Sequence, residues 1–497
     1  MAGLFGLSIN SKKYKKNFLD TLFLGMFYHQ HLGKRGGFVY FENGEPEKQE
    51  FKGAVGSNYI GNFGKTDSCA GIAYYGNENE PFFFDSILGN IAICFCGNIL
   101  NIDELRMEIK KDGGILQREF DIEVVAEFIV RCGLKKGNTQ GQKIINGIKT
   151  LNEKLKGAYS LLILTEEVIF AVYGPDGRWP LIIGKDEKDG SAIVVASETG
   201  GFSNLGIKIF KELQPGEIIS IKNGRLRRVT ILPKKDGKDA RFCDFLLDYT
   251  FFPTSMLRGI SSATARKKLG ACLARRDIEE RFFPHLIIPV PDSGRFHAIG
   301  YFHEFWKQVK SGRLKVDKLP LFDEILLKYT SVRSFLEDEQ HREKSAYYKI
   351  LITLDYLDYL IDMLRASGDW ELLRRNEKDG CIVIAVIDDS FVRGTQSESN
   401  LIPKIKAMLV NLEKKFTPLK LEIHLRSSYP EIRSHCCHGK TTRKKGEILA
   451  VKIPDIKDRA RKLGVASLKY NSPTDFIGAI GVLQNQVCMD CAFPSKK

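Results

Sequence analysis

The residues best suited to chemistry lie at 382–397, in the run IVIAVIDDSFVRGTQS. An apolar stretch leads directly into Asp388 and Asp389, and a short loop of small and polar residues follows them. Backbone N–H groups of such a loop, at the start of a helix, can surround a phosphate, and hydroxyl side chains add further donors. Carboxylates at a strand end accept hydrogen bonds from ribose hydroxyls or approach Mg²⁺. The run therefore predicts a binding site for a sugar phosphate.

A second apolar stretch ends in a similar way, in the run LIIPVPDSGRFHAIGY at 286–301. Both runs resemble motifs of type I phosphoribosyltransferases, in the form that the amidophosphoribosyltransferases carry. The first is similar to their phosphoribosyl pyrophosphate (PRPP) motif, VDDSIVRGTTS, and the second to their pyrophosphate loop. By the same resemblance, Arg295 is an added cation beside the leaving group.

A third run, VRSFLEDEQHREKSAYYKI at 332–350, resembles the loop that closes over PRPP in this family, although the usual proline is absent. That departure concerns closure of the loop more than binding. The resemblance implies a Mg²⁺ site at Ser293, Asp388 and Asp389. It implies that PRPP binds to Asp388, Asp389, Ser390, Arg393, Gly394, Thr395, Gln396, Ser397, Asp292, Ser293, Gly294, Arg333, Arg342 and Lys349.

The first residues, MAGLFG, resemble the MCGIFG of class II glutamine amidotransferases, in which an amino-terminal cysteine is the nucleophile. Ala2 stands at that position, and a methyl group cannot attack an amide. The family's oxyanion segment HNGN aligns with residues 95–98, which places Cys96 where asparagine donates, and its RYPT segment aligns with residues 74–77. Losing one oxyanion donor costs about 100- to 1,000-fold in rate. We therefore expect no catalytic residue in this half, and buried thiols at Cys94 and Cys96.

Eleven cysteines, an odd number, without an export signal argue against a disulfide framework. Cys488 and Cys491 form a CxxC pair, and one subset of the resembled family holds a four-iron cluster by four cysteines at matching places. The resemblance thus implies a [4Fe-4S] cluster at Cys243, Cys436, Cys488 and Cys491. Cys437 is an alternative third ligand. Structural zinc and metal-free buried thiols are alternatives to the cluster.

Two kinds of domain must position these residues. Up to about residue 230, short β-branched and aromatic runs alternate with glycine turns, and 120–133 has helical spacing, with Gly133 expected to end the helix. A polar stretch, 232–241, separates this half from one in which helices alternate with apolar strands, as in a doubly wound parallel sheet.

The resemblance implies a particular type of domain for each half. It implies an α+β class II glutamine amidotransferase domain at 1–231, an Ntn-hydrolase-like αββα sandwich that is inactive. It implies an α/β type I phosphoribosyltransferase domain at 242–497, which ends in a cysteine-containing tail.

Composition excludes several other classes of protein. With 497 residues, 43% of them hydrophobic, the chain is long enough for two cores. No apolar stretch of about 18 residues predicts a membrane span, so we expect a cytoplasmic protein. The net charge of +14 is scattered, which argues against a nucleic-acid-binding protein and is compatible with a polyanionic small molecule such as PRPP.

The leading hypothesis is an enzyme that transfers ammonia, or another amine, to PRPP and gives 5-phosphoribosylamine and pyrophosphate. The resembled family performs this step in purine biosynthesis. A partner protein is one source of the amine. The alternative is an inactive relative that binds PRPP or nucleotides as a regulator or scaffold, and turnover of PRPP distinguishes the two. Nucleotide feedback inhibitors and a homo-oligomer are further expectations from the resemblance.

Overall fold

The structure is a computed structural model that describes most of the chain. The described residues are 2–14, 16–78, 80–118, 120–135, 137–234, 237, 239–314, 319–329, 350–352, 359, 362, 366, 381–392, 401–406, 420–436, 438 and 445–493. Within these ranges, no helix combines the length and the apolar character that crossing a membrane requires.

The first half consists of two antiparallel sheets. Its strands are β1 (Gly3–Ile9), β2 (Arg35–Glu42), β3 (Glu45–Lys52), β4 (Ala70–Gly76), β5 (Phe82–Ser86), β6 (Gly89–Ile99), β7 (Gly157–Leu164), β8 (Val168–Tyr173), β9 (Ile182–Asp186), β10 (Ala192–Ala196), β11 (Ile207–Glu212), β12 (Glu217–Lys222) and β13 (Arg225–Ile231). One sheet has the order β11-β9-β10-β1-β4-β2-β3, and the other has the order β13-β12-β8-β7-β6-β5.

Alternation along each strand builds three layers of core. In β6, Cys94 and Cys96 point into the core between the sheets, whereas Ile93 and Phe95 pack against helices on the outer face. The helices of this half are Phe18–Phe27, Ile102–Lys111, Asp121–Leu134, Gln140–Lys154 and Phe202–Leu205. Helices thus cover both outer faces, and the predicted αββα sandwich is confirmed.

Gly133 does not end its helix, so that prediction was wrong. The helix Asp121–Leu134 continues through it. A Cβ at Gly133 would lie 2.3 Å from the carbonyl oxygen of Lys143, and one at Gly147 would lie 2.0 Å from that of Ile129. The two glycines therefore let this helix and Gln140–Lys154 pack backbone against backbone.

The second half is built on a parallel sheet. Its strands and strand pairs are β14 (Phe242–Cys243), β15 (Met256–Leu257), β16 (Ile260–Ser261), β17 (Leu286–Pro289), β18 (Leu321–Phe322), β19 (Leu326–Lys328), β20 (Ile350–Ile352), β21 (Cys381–Asp388), β22 (Lys420–Ser427), β23 (Ser467–Tyr470) and β24 (Val487–Cys488). The parallel sheet has the order β18-β17-β21-β22-β23.

Helices and apolar clusters lie on both faces of this sheet, as predicted for a doubly wound fold. Alternate residues of β21 divide between the faces: Ile384 and Val386 join one cluster, and Ala385 and Ile387 join the other. The helices are Ser262–Glu279, Arg295–Lys310, Leu449–Lys452, Ile456–Leu463 and Pro473–Ile480.

The strand order places a switch point between β17 and β21. Along the chain, β17 comes first; β18 pairs with it on one side, and β21, which comes later, pairs with it on the other side. In such sheets, ligands bind in the crevice beyond the carboxyl ends of the two strands at the switch. The two runs singled out from the sequence follow these two strands. The domain limits 1–231 and 242–497 stay a prediction, with β13 ending at Ile231 and β14 beginning at Phe242.

Candidate active site

The two loops of the site begin at the same edge of the sheet. Pro289 of β17 is level with Ile387 of β21, and the backbone N–H of Val290 donates to the carbonyl oxygen of Ile387 at 2.9 Å. Residues 291–294 follow the first strand, and Asp388 ends the second. The strand register therefore brings the two sequence runs together.

The first loop turns tightly against the second strand. Asp292 has φ 62°, a left-handed conformation that aspartate tolerates better than most residues. The N–H of Gly294 donates to the carbonyl oxygen of Val290 at 2.9 Å. A Cβ at Gly294 would lie 2.0 Å from the carbonyl oxygen of Ile387. Because only glycine fits there, the loop can bring Ser293 close to Asp388.

Ser293, Asp388 and Asp389 form the acidic centre of the site. The Ser293 hydroxyl donates to Oδ1 of Asp388 at 2.7 Å, and the N–H of Asp389 donates to the same oxygen at 2.9 Å. The N–H of Ser390 donates to Oδ1 of Asp389. Burial, followed by repulsion from Asp389, raises the pKa of Asp388 well above its ordinary value. Burial, followed by the charge of Asp248, raises the pKa of Asp389 to about 6.

These residues fit a divalent cation. Among the described residues, Oδ2 of Asp389 is buried and has no hydrogen-bond partner. A buried carboxylate oxygen without a donor is costly, and a nearby cation removes that cost. Carboxylate and hydroxyl oxygens are the ligands that Mg²⁺ prefers. The chemistry of the donors therefore agrees with the predicted Mg²⁺ residues, Ser293, Asp388 and Asp389.

The charged residues around the first loop are paired. Arg295 donates to both carboxylate oxygens of Glu324, at 2.7 and 2.9 Å, and Lys328 donates to Oδ2 of Asp292 at 2.9 Å. The sequence interpretation treated Arg295 as a cation beside the leaving group. In this structure its guanidinium is held by Glu324 instead.

Eight of the predicted PRPP residues lie outside the described residues: Arg333, Arg342, Lys349, Arg393, Gly394, Thr395, Gln396 and Ser397. Their roles stay predictions from the resemblance. Asp292, Ser293, Gly294, Asp388, Asp389 and Ser390 are the predicted residues that the structure brings to one edge of the sheet.

The first half has no nucleophile at the position where the resembled family has one. Ala2 is 4% exposed, and its N–H donates to Sγ of Cys96 at 3.4 Å. Burial raises the pKa of both Cys94 and Cys96. A thiol attacks as its thiolate, and a buried thiol with a raised pKa stays protonated. Tyr74, in the segment aligned with RYPT, is 1% exposed and part of the same core. These cysteines are therefore buried thiols, as expected.

Comparisons with known proteins agree with both halves. Residues 72–204 match the family described as "Glutamine amidotransferase domain". The chain is 29% identical to the amidophosphoribosyltransferase of Methanocaldococcus jannaschii, over 99% of this chain and 96% of the relative. It is 28% identical to that of Archaeoglobus fulgidus, over 92% of this chain and 90% of the relative. The chain is thus similar to amidophosphoribosyltransferases over almost its whole length.

A solved structure shows the same fold over the whole chain. The glutamine PRPP amidotransferase of Bacillus subtilis, in complex with ADP and GMP, matches with a TM-score of 0.74 at 24% identity. The match covers 99% of this chain and 96% of the other. Together with the strand orders, it establishes the predicted combination of a class II amidotransferase domain with a phosphoribosyltransferase domain.

The four predicted cluster cysteines lie close together at the junction of the two halves. Cys243 and Cys488 face each other in the parallel pair β14–β24. Burial raises the pKa of Cys243 well above its ordinary value, and the charges of Asp244, Cys436, Cys488 and Cys491 raise it further. Such thiols are readily deprotonated only when a metal centre compensates their charge. The donor set thus fits a metal centre.

The spacing of these residues bears on which metal fits. Within the described part of the chain, one group of three ligand atoms lies within 4.8 Å of one another, and it is His438, Cys488 and Asp490 rather than three cysteines. Four sulfurs around one zinc ion would lie about 3.8 Å apart. Arg241 donates to both oxygens of Asp490, at 2.9 Å each, and Arg178 lies 3.3 Å from Nε2 of His438. Asp490 and His438 are thus each already in contact with an arginine in this structure.

Sequence reasoning missed a buried polar group beneath the acidic centre. Asp248 and His297 are separated by 49 residues, yet Nε2 of His297 lies 2.9 Å from Oδ1 of Asp248, and Ser428 donates to the same oxygen at 3.2 Å. Asp248 stands in an otherwise apolar and aromatic segment, FLLDYTFF, where an isolated acid was the available signal. Its partner could not be identified from spacing.

Proposed function

We propose that this protein transfers ammonia, or another amine, to PRPP and releases pyrophosphate, and that its amidotransferase half no longer hydrolyses glutamine. The observation that carries the proposal is the hydrogen bond from Ser293 to Asp388 at the switch point, which assembles the acidic centre of the site. The similarity of nearly the whole chain to amidophosphoribosyltransferases supports the reaction class.

The described residues would serve the reaction by binding and orientation. Asp388 and Asp389 would accept hydrogen bonds from vicinal ribose hydroxyls and, with Ser293, would hold Mg²⁺, which would neutralise charge on the pyrophosphate. A new C–N bond forms at the anomeric carbon as the C–O bond to pyrophosphate breaks, and the attacking amine loses a proton. No covalent nucleophile is needed, so positioning and electrostatics supply most of the rate.

The source of the amine follows from the first half. Ala2 offers a methyl group, and Cys96 is a buried thiol where the family's asparagine would donate. Free ammonia, or an amine delivered by another protein, then replaces the amide nitrogen of glutamine. The 5-phosphoribosylamine produced is the first intermediate of purine biosynthesis in the family's pathway.

We propose further that a [4Fe-4S] cluster binds at Cys243, Cys436, Cys488 and Cys491. The pairing of Cys243 with Cys488, and the proximity of Cys436 and Cys491 to Cys243, support this assignment, because a cluster would compensate the charge of four neighbouring thiolates. We also propose that purine nucleotides inhibit the protein, since the relative from B. subtilis was solved in complex with ADP and GMP.

Pyrophosphate release tests the proposal. Protein purified without oxygen is mixed with PRPP and Mg²⁺, and either ammonium at alkaline pH or glutamine is supplied. We expect pyrophosphate with ammonium and none with glutamine. Asp388→Asn should abolish release, whereas Asp85→Asn, an exposed substitution in β5, should leave it unchanged.

The other outcomes discriminate among the alternatives. Release with glutamine would refute the loss of glutaminase activity. No release with either donor, combined with binding of PRPP, would favour the inactive relative that acts as a regulator or scaffold. No binding of PRPP would refute both functions.

A further inference from the structure

His297 lies at the start of the helix Arg295–Lys310, directly after the first loop of the site. Both of its ring nitrogens have partners. Nδ1 lies 3.0 Å from the carbonyl oxygen of Ser293, and Nε2 lies 2.9 Å from Oδ1 of Asp248. The side chains of His297 and Asp248 are both 0% exposed. The imidazole therefore connects the first loop to a second buried residue.

Both partners of the ring are oxygen atoms that accept hydrogen bonds, a backbone carbonyl and a carboxylate, and each ring nitrogen faces one of them. His297 and Asp248 thus form a hydrogen-bonded polar pair away from water. Replacing both members of such a pair by apolar groups of the same shape can be nearly neutral for stability. Fold stability alone is therefore a weak reason for such a pair beneath a binding site.

Asp248 connects to the second loop. Ser428 contacts Oδ1 of Asp248 and the carbonyl oxygen of Asp389, at 3.2 Å each. The N–H of Tyr429 and the hydroxyl of Ser427 also donate to that carbonyl, at 2.8 and 3.1 Å. The backbone of Asp389 is thus fixed from the side on which Asp248 lies.

The pair itself is held in place by backbone packing. Asp248 lies in a short π-helical turn, Leu246–Thr250, a conformation that is rare and often found at functional sites. At the other end, a Cβ at Gly270 would lie 1.8 Å from the carbonyl oxygen of His297. The helix Ser262–Glu279 therefore packs directly against the turn that carries His297.

We propose that Asp248 and His297 are positioning residues for the PRPP site. His297 fixes the carbonyl of Ser293, and Asp248, through Ser428, fixes the carbonyl of Asp389. The pair thereby sets the distance between the serine hydroxyl and the two carboxylates that receive the substrate. The role of the pair rests on the proposed function of that site.

A double variant separates positioning from stability. Asp248→Val with His297→Leu replaces both polar side chains by apolar ones of similar volume, so neither is left buried without its partner and the protein should fold. Displacing reacting groups by about 1 Å costs about 100-fold in rate. We therefore expect kcat/KM for PRPP to fall by about 10- to 100-fold, with KM raised and thermal unfolding close to that of the unmodified protein. The single variant Asp248→Asn keeps a side-chain oxygen that can accept from His297, and it should retain most of the activity.

His424→Ala is the matched control. His424 is a buried imidazole in β22 of the same sheet, and its Nδ1 lies 2.8 Å from the hydroxyl of Ser467. It does not contact either loop of the site among the described residues, so KM for PRPP should not change. An equal loss in this control would overturn the proposal, since the effect would then be general damage to the sheet.

Two further results would overturn the positioning role of the pair. Unchanged KM and kcat in a folded double variant would overturn the role of the pair and leave the proposed function intact. If the unmodified protein neither binds PRPP nor releases pyrophosphate, the proposed function fails and the positioning role fails with it. Calorimetric titration of PRPP with Mg²⁺ provides the binding measurement for both proteins.

Discussion

Gly294→Ala tests whether the contact between the two loops builds the site. The added Cβ would lie 2.0 Å from the carbonyl oxygen of Ile387 and 2.7 Å from the backbone nitrogen of Val290. Both are backbone atoms, and they form the hydrogen bond that joins the strand ends, at 2.9 Å. No side-chain rotation can relieve the clash, so the loops must separate.

The size of the effect follows from the movement required. Real Cβ contacts essentially never fall below 3.0 Å, so the loops must separate by about 1 Å. Inserting a methyl group into packed structure costs about 1–3 kcal/mol. Weakening the hydrogen bond between the strands costs about 1 kcal/mol more. We expect a stability loss of about 2–4 kcal/mol. Because Ser293 moves away from Asp388, turnover of PRPP should fall by about 100-fold.

Urea unfolding and pyrophosphate release measure the two effects. Gly478→Ala is the control, since a Cβ there meets no atom within 4 Å and the residue lies in the exposed face of the helix Pro473–Ile480. That variant should gain about 0.5–1 kcal/mol and keep full activity. A Gly294→Ala protein with unchanged unfolding midpoint and unchanged turnover would refute the account of the loop contact.

Three other predictions concern separate parts of the molecule. Ala2→Cys alone should not restore glutamine hydrolysis, because Cys96 still replaces the donating asparagine; glutamate release above background would contradict this. Without ligands, Asp389→Asn should be about 1–3 kcal/mol more stable than the unmodified protein at pH 8 and not at pH 4. The reason is that the pKa of Asp389 in the folded protein, about 6, exceeds its ordinary value of 3.8. The contribution of Asp389 to stability is therefore complete below pH 3.8 and is lost as the pH rises through 6. An equal difference in stability between the two proteins at both pH values would contradict the raised pKa. If the proposed cluster binds, protein purified without oxygen should contain about four iron atoms per chain and Cys488→Ser should lose them; comparing Cys436→Ala with Cys437→Ala by iron analysis then identifies the third ligand.

Local pattern identified much of the site. Three parts of the site are continuous segments whose residue types indicate their chemistry. They are the apolar strand that ends at Asp388, the small loop at residues 291–294 and the CxxC pair. The apolar run GNIAICFCGN also predicted correctly that Cys94 and Cys96 are buried. Gly133 was misassigned because glycine ends many helices, whereas here it admits the backbone of Lys143. A local pattern cannot distinguish a helix end from a helix contact.

The sequence by itself determined the acidic strand end and the motifs whose resemblance implied the two types of domain, because each motif depends on neighbours along the chain. The tertiary structure alone decided which distant residues meet. The order of β17 and β21 brings Ser293 to Asp388, and Glu324 takes up Arg295. The pairing of Asp248 with His297 likewise depends on how the helix Arg295–Lys310 packs against the turn Leu246–Thr250. Contacts of this kind are set by the packing of whole elements, and no spacing in the chain encodes them.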